Sequence, residues 1–251
     1  MPGRQGSRPL KCWRYVAAFS RELMLCAAAV RIGAARQSFW ALWDRDRRRL
    51  YERTVMRSAN VDLGPGRLRV IERLVQVDLR LDEQPGIEVV SPSGASYAWT
   101  RKQGGVSAIG TVMVEGEPRV FEGRAVIDDT AAYYDRHTSW SWSAGVGVGQ
   151  DGRAVAWNLV EGVNDAAADS ERTVWLDGVP REVAVVRFAP DLSAVDGLCF
   201  NQEAVREQRQ NLLLVRSSYR QPFGTFSGTL PGGGAELAEG YGVMEEHDVW
   251  W

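Results

Sequence analysis

Glycine and proline punctuate this chain roughly every eight to twelve residues, and the segments between them alternate in polarity. GlyProGly at 64–66, Gln84-Pro85-Gly86, Ser91-Pro92-Ser93-Gly94 and Glu115-Gly116-Glu117-Pro118 are turn signals, and Asp177-Gly178 is a strong hairpin signal. Successive side chains of a strand point to opposite faces, so Lys11 to Ser20, with Trp13, Tyr15, Ala17 and Phe19 on one side, reads as a strand. The same pattern recurs along the chain. Two segments admit a helix instead: Leu23–Ile32, where Ala27–Ala29 favour one, and Glu203–Gln210, whose spacing leans toward a long strand. The expected class is all-β, as a sandwich or barrel. A length of 251 residues accommodates one large β domain or two small ones. Residues 1–9 read as a disordered leader.

Composition narrows the function classes. Hydrophobic residues make up 45% and charged residues 25% of the chain, an ordinary globular balance. With 30 basic and 32 acidic residues and a formal charge of −2, there is no clustered basic excess of the kind nucleic-acid binding requires. The one dense charge run, Asp44 to Arg49, reads as a solvated turn. Lys11 and Lys102 are the only lysines, which reads as compositional bias toward arginine. Cys12, Cys26 and Cys199 are odd in number and lack CxxC spacing, which disfavours a disulfide framework or structural zinc and fits a reducing cytoplasm. Arg14, Arg21 and Glu22 interrupt every apolar run that could follow a signal n-region. The longest run, Leu23 to Val30, is far too short to span a membrane. The expectation is a soluble cytoplasmic protein with no transmembrane segment and no nucleic-acid partner.

Ten tryptophans are the anomaly. Any one of them suits a β core as well as the wall of a cavity. Three lie in Gly123–Asn164, the stretch richest in reactive groups. Alternation groups Asp129 with Ala125 and Ile127, away from Arg124 and Asp128. If Arg124 and Asp128 take the wet face, Asp129 points into a core or cavity, where burial raises a carboxyl pKa and makes a general acid. The pair equally suits capping of the next loop. From His137, Thr138, Trp140 and Trp142 share one face, while His137, Ser139, Ser141 and Ser143 share the other. Trp157 and Leu159 flank Asn158, an amide that needs a partner or a ligand inside an apolar strand; Glu171 and Trp175 echo the pattern. In the last segment Glu245 and His247 share the more apolar face with Val243 and Val249. A buried carboxylate–imidazole pair there either fixes register or moves a proton. Two histidines cannot build a His-rich metal site, and a GxSxG elbow, a P-loop and a dinucleotide fingerprint are all absent, so neither a metal nor a cofactor is expected.

Several of these segments, GRAVIDDTAAYYDRHTSWSWSAG, WNLVEGVN, ERTVWLDG, SSYRQPFGTFSG and GYGVMEEHDVWW, resemble the bacterial domain-of-unknown-function 2804 family, and CWRYVAAFSRELMLCAAAVRIGAARQSFWALWDR is similar to its first block. The family is distantly similar to calycin-like proteins, among them carotenoid 1,2-hydratase. The resemblance implies two lipocalin-like antiparallel β barrels or sandwiches packed together. They are placed at 10–122 and 123–251, with the site in the second and early strands of the first absent. It also implies a cavity for an apolar ligand, and it makes Asp129, His137, Trp140 and Trp142 the counterparts of the acid, histidine and tryptophans implicated in the hydratases.

Two functions follow. The first is binding of a lipid or isoprenoid in a cavity lined by Trp140, Trp142, Trp157, Asn158 and Trp175. The second is acid-catalysed hydration or isomerisation of a C=C bond, with Asp129 and His137 acting together with Glu245 and His247. Carbohydrate binding or hydrolysis on tryptophan platforms with two carboxylates is a further alternative.

Overall fold

The computed structural model describes residues 1–56, 60–212, 215–232 and 235–251. Regular structure among them is entirely strand and turn. A small hairpin, β1 (Arg4–Gln5) with β2 (Arg8–Pro9), occupies the segment expected to be a disordered leader. Gly6 at φ 57 makes the tight reversal, and the Arg8 guanidinium is tied to Asp135 and to the carbonyl of Ser93.

The first large sheet comprises β3 (Lys11–Phe19), β4 (Leu23–Ile32), β5 (Ala35–Asp44), β6 (Arg49–Met56), β7 (Val61–Asp62), β8 (Arg67–Ile71), β9 (Val75–Leu81), β10 (Ile87–Ser93), β11 (Ser96–Val114) and β12 (Glu117–Ala132). Its order is β6-β5-β4-β3-β12-β11-β9-β8-β7, with β10 also paired to β11, and all its pairs are antiparallel. The second comprises β13 (His137–Gly149), β14 (Ala154–Glu161), β15 (Thr173–Leu176), β16 (Val179–Glu182), β17 (Ala194–Val195), β18 (Leu198–Leu212), β19 (Val215–Gly228) and β20 (Leu237–Trp250). Its order is β16-β15-β14-β13-β20-β19-β18-β17. The sheets change hands between Ala132 and His137, so the division expected at 122/123 falls inside β12. Both segments that admitted a helix, Leu23–Ile32 and Glu203–Gln210, are strands. No helix among the described residues is long and apolar enough to cross a membrane.

Three apolar clusters explain how strand patterns become layers. Val16, Leu25, Leu42, Leu79, Val112 and Ile127 fill the concave side of the first sheet, and Trp157, Leu159, Leu198, Phe226 and Met244 fill that of the second. The third cluster lies between the two sheets: Ala17, Met24, Ala28, Val126, Trp142, Val160, Trp175, Phe223 and Val243. Strands in the middle of this arrangement are therefore covered on both faces. In β9 the pattern alternates cleanly between buried and exposed, whereas Ala125, Val126, Ile127 and Asp128 of β12 are all buried. A two-faced burial of this kind gives a continuous apolar run where a one-sided sheet gives alternation.

Polar clamps fix the seam. Arg45 makes a bidentate pair with Glu203 at 2.7 and 2.8 Å, and Trp43 Nε1 donates to the same carboxylate at 2.9 Å. Asp44 is fully buried and pairs with Arg119 at 3.2 Å. The Asp44–Arg49 run is thus only partly the solvated turn its charge suggested. Arg124 reaches the carbonyls of Gly147 and Val155 across the seam. A bulge in β11 between Gly104 and Val106, with Gly105 at φ 74, lets Trp175 of the second sheet lie directly on the backbone of the first.

A Cβ on Gly104 would stand 2.3 Å from Trp175 Cε3. Gly104→Ala is expected to lower stability by about 1–3 kcal/mol through overpacking, measured as a shift in the urea midpoint, and Gly116→Ala, where a Cβ meets nothing within 4 Å, reports the cost of positive φ alone.

Candidate functional site

Between the two sheets, next to the third apolar cluster, lies a cavity of about 200 Å³. Both sheets build it. β3, β4, β5, β11 and β12 supply Trp13, Tyr15, Val30, Phe39, Lys102, Asp128 and Thr130; β13, β14, β18, β19 and β20 supply Trp140, Trp142, Val160, Arg206, Tyr219, Glu245 and His247. The site expected within the second half alone is a seam between halves.

The tryptophans of β13 point this way because the other face of the strand is committed to the core of its own sheet. On that opposite face Gly145 leaves room for Trp157, whose ring would lie 2.3 Å from a Cβ there, and Ser143 Oγ accepts from Trp157 Nε1 at 3.0 Å. Trp157 is accordingly a core residue of the second sheet. Asn158 faces the seam, where its Oδ1 accepts from Trp142 Nε1 at 2.9 Å and its Nδ2 donates to the Glu171 carbonyl at 2.9 Å. It orients the cavity tryptophan from behind. Trp175 also belongs to the seam, seated on Gly104.

At one end of the cavity Glu245 is 7% exposed and receives three hydrogen bonds: Trp140 Nε1 to Oε1 at 2.9 Å, and Tyr219 OH and Gln221 Nε2 to Oε2 at 2.8 and 2.9 Å. Burial pushes its carboxyl above the usual carboxylate range, opposed by these donors and assisted by the negative charge of Asp128. Oε1, with a single donor, keeps a lone pair that can carry the proton. His247 lies beside it on β20, edge-on to Trp140 with ring centroids 4.4 Å apart and within 2.8 Å of Ser217 Oγ through Nε2. Burial pushes this imidazole down to about 3, so it is neutral near pH 7. Arg206, 2% exposed, lies over the Phe39 and Tyr219 rings.

At the other end is a second buried polar cluster. Lys102 Nζ bridges Asp128 Oδ1 at 2.7 Å and Glu171 Oε1 at 3.2 Å. Thr130 Oγ1 and Trp13 Nε1 donate to Asp128, and Asn164 Nδ2 donates to Glu171 Oε2 and to the Tyr134 hydroxyl oxygen. Burial raises the Glu171 carboxyl. A stack of rings joins the two ends: Trp140 to Trp13 at 6.4 Å and Trp13 to Tyr134 at 5.9 Å.

Of the four residues expected to act together, Glu245 and His247 meet in the cavity and Asp129 and His137 do not. Asp129 lies on the concave face of the first sheet, paired with Arg14 at 3.0 Å and Arg101 at 2.8 Å. The wet face on which its assignment rested does not exist there, because the second sheet covers it, and Asp128 is the aspartate that faces the cavity. His137, on the face opposite Trp140, is exposed at the sheet end, 2.7 Å from Asp248 and stacked on Trp250 at 4.3 Å. Sequence reasoning missed Lys102, Tyr219, Gln221 and Trp13, and noted Glu171 only as an echo of the Asn158 pattern. One signal was available: in a chain that otherwise uses arginine, both lysines occupy buried positions. Among the described residues no group of three or more His, Cys, Asp or Glu side chains could hold a metal ion.

An all-β chain of two packed antiparallel sheets with a ring-lined cavity at their seam has a calycin-like fold of the barrel or sandwich type. The family model for Domain of unknown function (DUF2804) matches residues 66–251, and the chain belongs to that family. No curated protein matches it in sequence. Among solved structures it is similar to a putative AttH from Nitrosomonas europaea (15% identity, TM-score 0.56, 94% of this chain and 92% of that one). Kievitone hydratase from Nectria haematococca is also similar (10% identity, TM-score 0.57, 94% and 88%), as is CghA with Sch210972 (9% identity, TM-score 0.52, 96% and 88%). At these identities the likeness establishes the fold.

Because the folded-state pKa of His247 lies below its unfolded value of 6.5, the unfolded chain binds the extra proton as pH falls between about 6.5 and 3. Stability from this residue is therefore complete above 6.5 and lost on acidification, with a slope of at most about 1.4 kcal/mol per pH unit. His247→Gln is expected to flatten that part of the profile in urea unfolding at pH 4, 5 and 7; parallel profiles for the two proteins would contradict it.

Proposed function

We propose that this chain binds an apolar, unsaturated small molecule of lipid or isoprenoid type in the seam cavity and protonates its C=C bond through Glu245. The observation that carries the proposal is a buried carboxyl, raised by desolvation, facing a cavity walled by Trp13, Tyr15, Trp140 and Trp142. A protonated carboxylic acid in an apolar site is the group that can deliver a proton to carbon near neutral pH. The Glu245 O–H bond breaks, a C–H bond forms at one alkene carbon, and the π pair leaves a cation at the other. Aromatic faces stabilise that cation. Water then adds to it, and the proton that water releases returns to Glu245, closing the cycle as hydration; loss of a neighbouring C–H proton gives isomerisation instead. Neutral His247 beside Trp140 is placed to orient the water. The fold shared with a protein named kievitone hydratase, and with CghA in a structure with Sch210972, supports the reading. A sugar is a poorer fit, since its hydroxyls would face ring after ring without partners.

Incubation with a library of isoprenoid and unsaturated fatty alkenes in deuterium oxide, followed by mass spectrometry, is the test. The wild type is expected to place deuterium on carbon. Glu245→Gln is expected to lose about 10²–10⁴ of that rate while retaining affinity for the same alkene within about threefold. Binding without incorporation in the wild type would leave a carrier rather than an enzyme; equal rates in both proteins would remove Glu245 from the chemistry.

A further inference from the structure

The Lys102–Asp128–Glu171–Asn164 cluster neither gives nor takes a proton in that reaction, yet all four residues line the same cavity and all four are more than nine-tenths buried. Holding three ionisable groups out of water costs several kcal/mol per ion before their mutual attraction is counted. Elsewhere along the seam the two sheets meet through apolar contacts and clamps such as Arg45–Glu203, which are only partly buried. The cluster stands instead on the wall of the cavity.

Each carboxylate oxygen of the cluster has at least one donor, and two other groups stand out. Lys102 Nζ carries three hydrogens, and its partners among the described residues are two, Asp128 Oδ1 and Glu171 Oε1. Asn164 donates both amide hydrogens, to the Tyr134 hydroxyl oxygen and to Glu171 Oε2, while its Oδ1 is buried with no partner. The cluster thus has a spare hydrogen on Lys102 and, in Asn164 Oδ1, an acceptor with no partner at all. A carboxylate ligand could accept from Lys102 but not donate to Asn164, and an ammonium could donate but not accept. A hydroxyl does both.

We infer that this end of the cavity is a recognition subsite for a hydroxyl group, so that the substrate is a hydroxylated apolar alkene, an alcohol or phenol, rather than a plain hydrocarbon or a free fatty acid. The inference rests on the binding reading above and deepens it. The hydroxyl would sit on Lys102 and Asn164, and the double bond near Glu245, with the apolar body along the Tyr134–Trp13–Trp140 stack whose successive centroids are 5.9 and 6.4 Å apart. Asn164 is suited to its role by its backbone: at φ 51 it occupies the left-handed region that asparagine tolerates better than other side-chain-bearing residues.

Equilibrium dialysis with 2-naphthol, 2-methylnaphthalene and 2-naphthoate tests the subsite without the natural substrate. The wild type is expected to bind 2-naphthol at least about tenfold more tightly than 2-methylnaphthalene, the scale of one hydrogen bond to a charged group, and more tightly than 2-naphthoate. Asn164→Gly keeps the backbone conformation accessible and removes the acceptor; it is expected to shrink the naphthol preference to about twofold or less with 2-methylnaphthalene affinity unchanged. Equal binding of naphthol and methylnaphthalene by the wild type would overturn the subsite even if the variant does not fold, and would show that water alone occupies that end. Tightest binding of naphthoate would replace the hydroxyl by an anion. None of these results depends on turnover, so a failed deuterium experiment strikes the Glu245 chemistry and a failed naphthol preference strikes the subsite.

Discussion

The apolar contact between the two sheets is the constraint on which the rest depends. Ala17, Met24, Ala28 and Val126 on the outer face of the first sheet cannot be left in water, and Trp142, Val160, Phe223 and Val243 on the second cover them. Once both faces of β12 and β13 are committed, every long side chain in the seam must find room or a partner there. Glycine supplies the room at Gly104, where the Trp175 ring rests on backbone. Arg124 supplies partners by capping two carbonyls of the opposite sheet.

The cavity is where that packing is incomplete. Its walls combine rings that stack on one another with two separate polar ends, one holding a carboxyl among donors and the other a mixed cluster of lysine, acids and amide. The two ends feel each other: the charge on Asp128 is among the causes that hold the Glu245 carboxyl up. An occupant that draws hydrogen bonds from one end therefore alters the acid at the other, by linkage through the field rather than by contact.

Alternation and turn spacing were enough to read the all-β class, and they correctly put Glu245 and His247 on one apolar face with Trp140 and Trp142 facing their own way. They misplaced Asp129 because a strand pattern tells which residues share a side, not what covers that side. In β12 the covering element begins at His137, and only tertiary structure reveals that the supposedly wet face is the seam. His137 failed for the related reason that it shares β13 with the tryptophans but not their face. Glu171 was hidden differently. It lies outside any strand, just before β15, and reaches the cavity only because Lys102, far earlier in the chain, crosses to meet it. Long-range pairing of this sort leaves no local trace in sequence.

The lysines carry one more consequence. Lys11 is 1% exposed, donating to the Tyr134 carbonyl at 2.9 Å, and Lys102 is 2% exposed inside its cluster. No other lysine occurs in the sequence, so neither lysine side chain is freely accessible in the folded protein. Acylating reagents, amine cross-linkers and enzymes that acetylate or ubiquitinate lysine meet almost no target until the seam opens. Modification of Lys102 would then report separation of the two sheets, and that of Lys11 loosening of the first strand, making the two side chains built-in reporters of how this molecule comes apart.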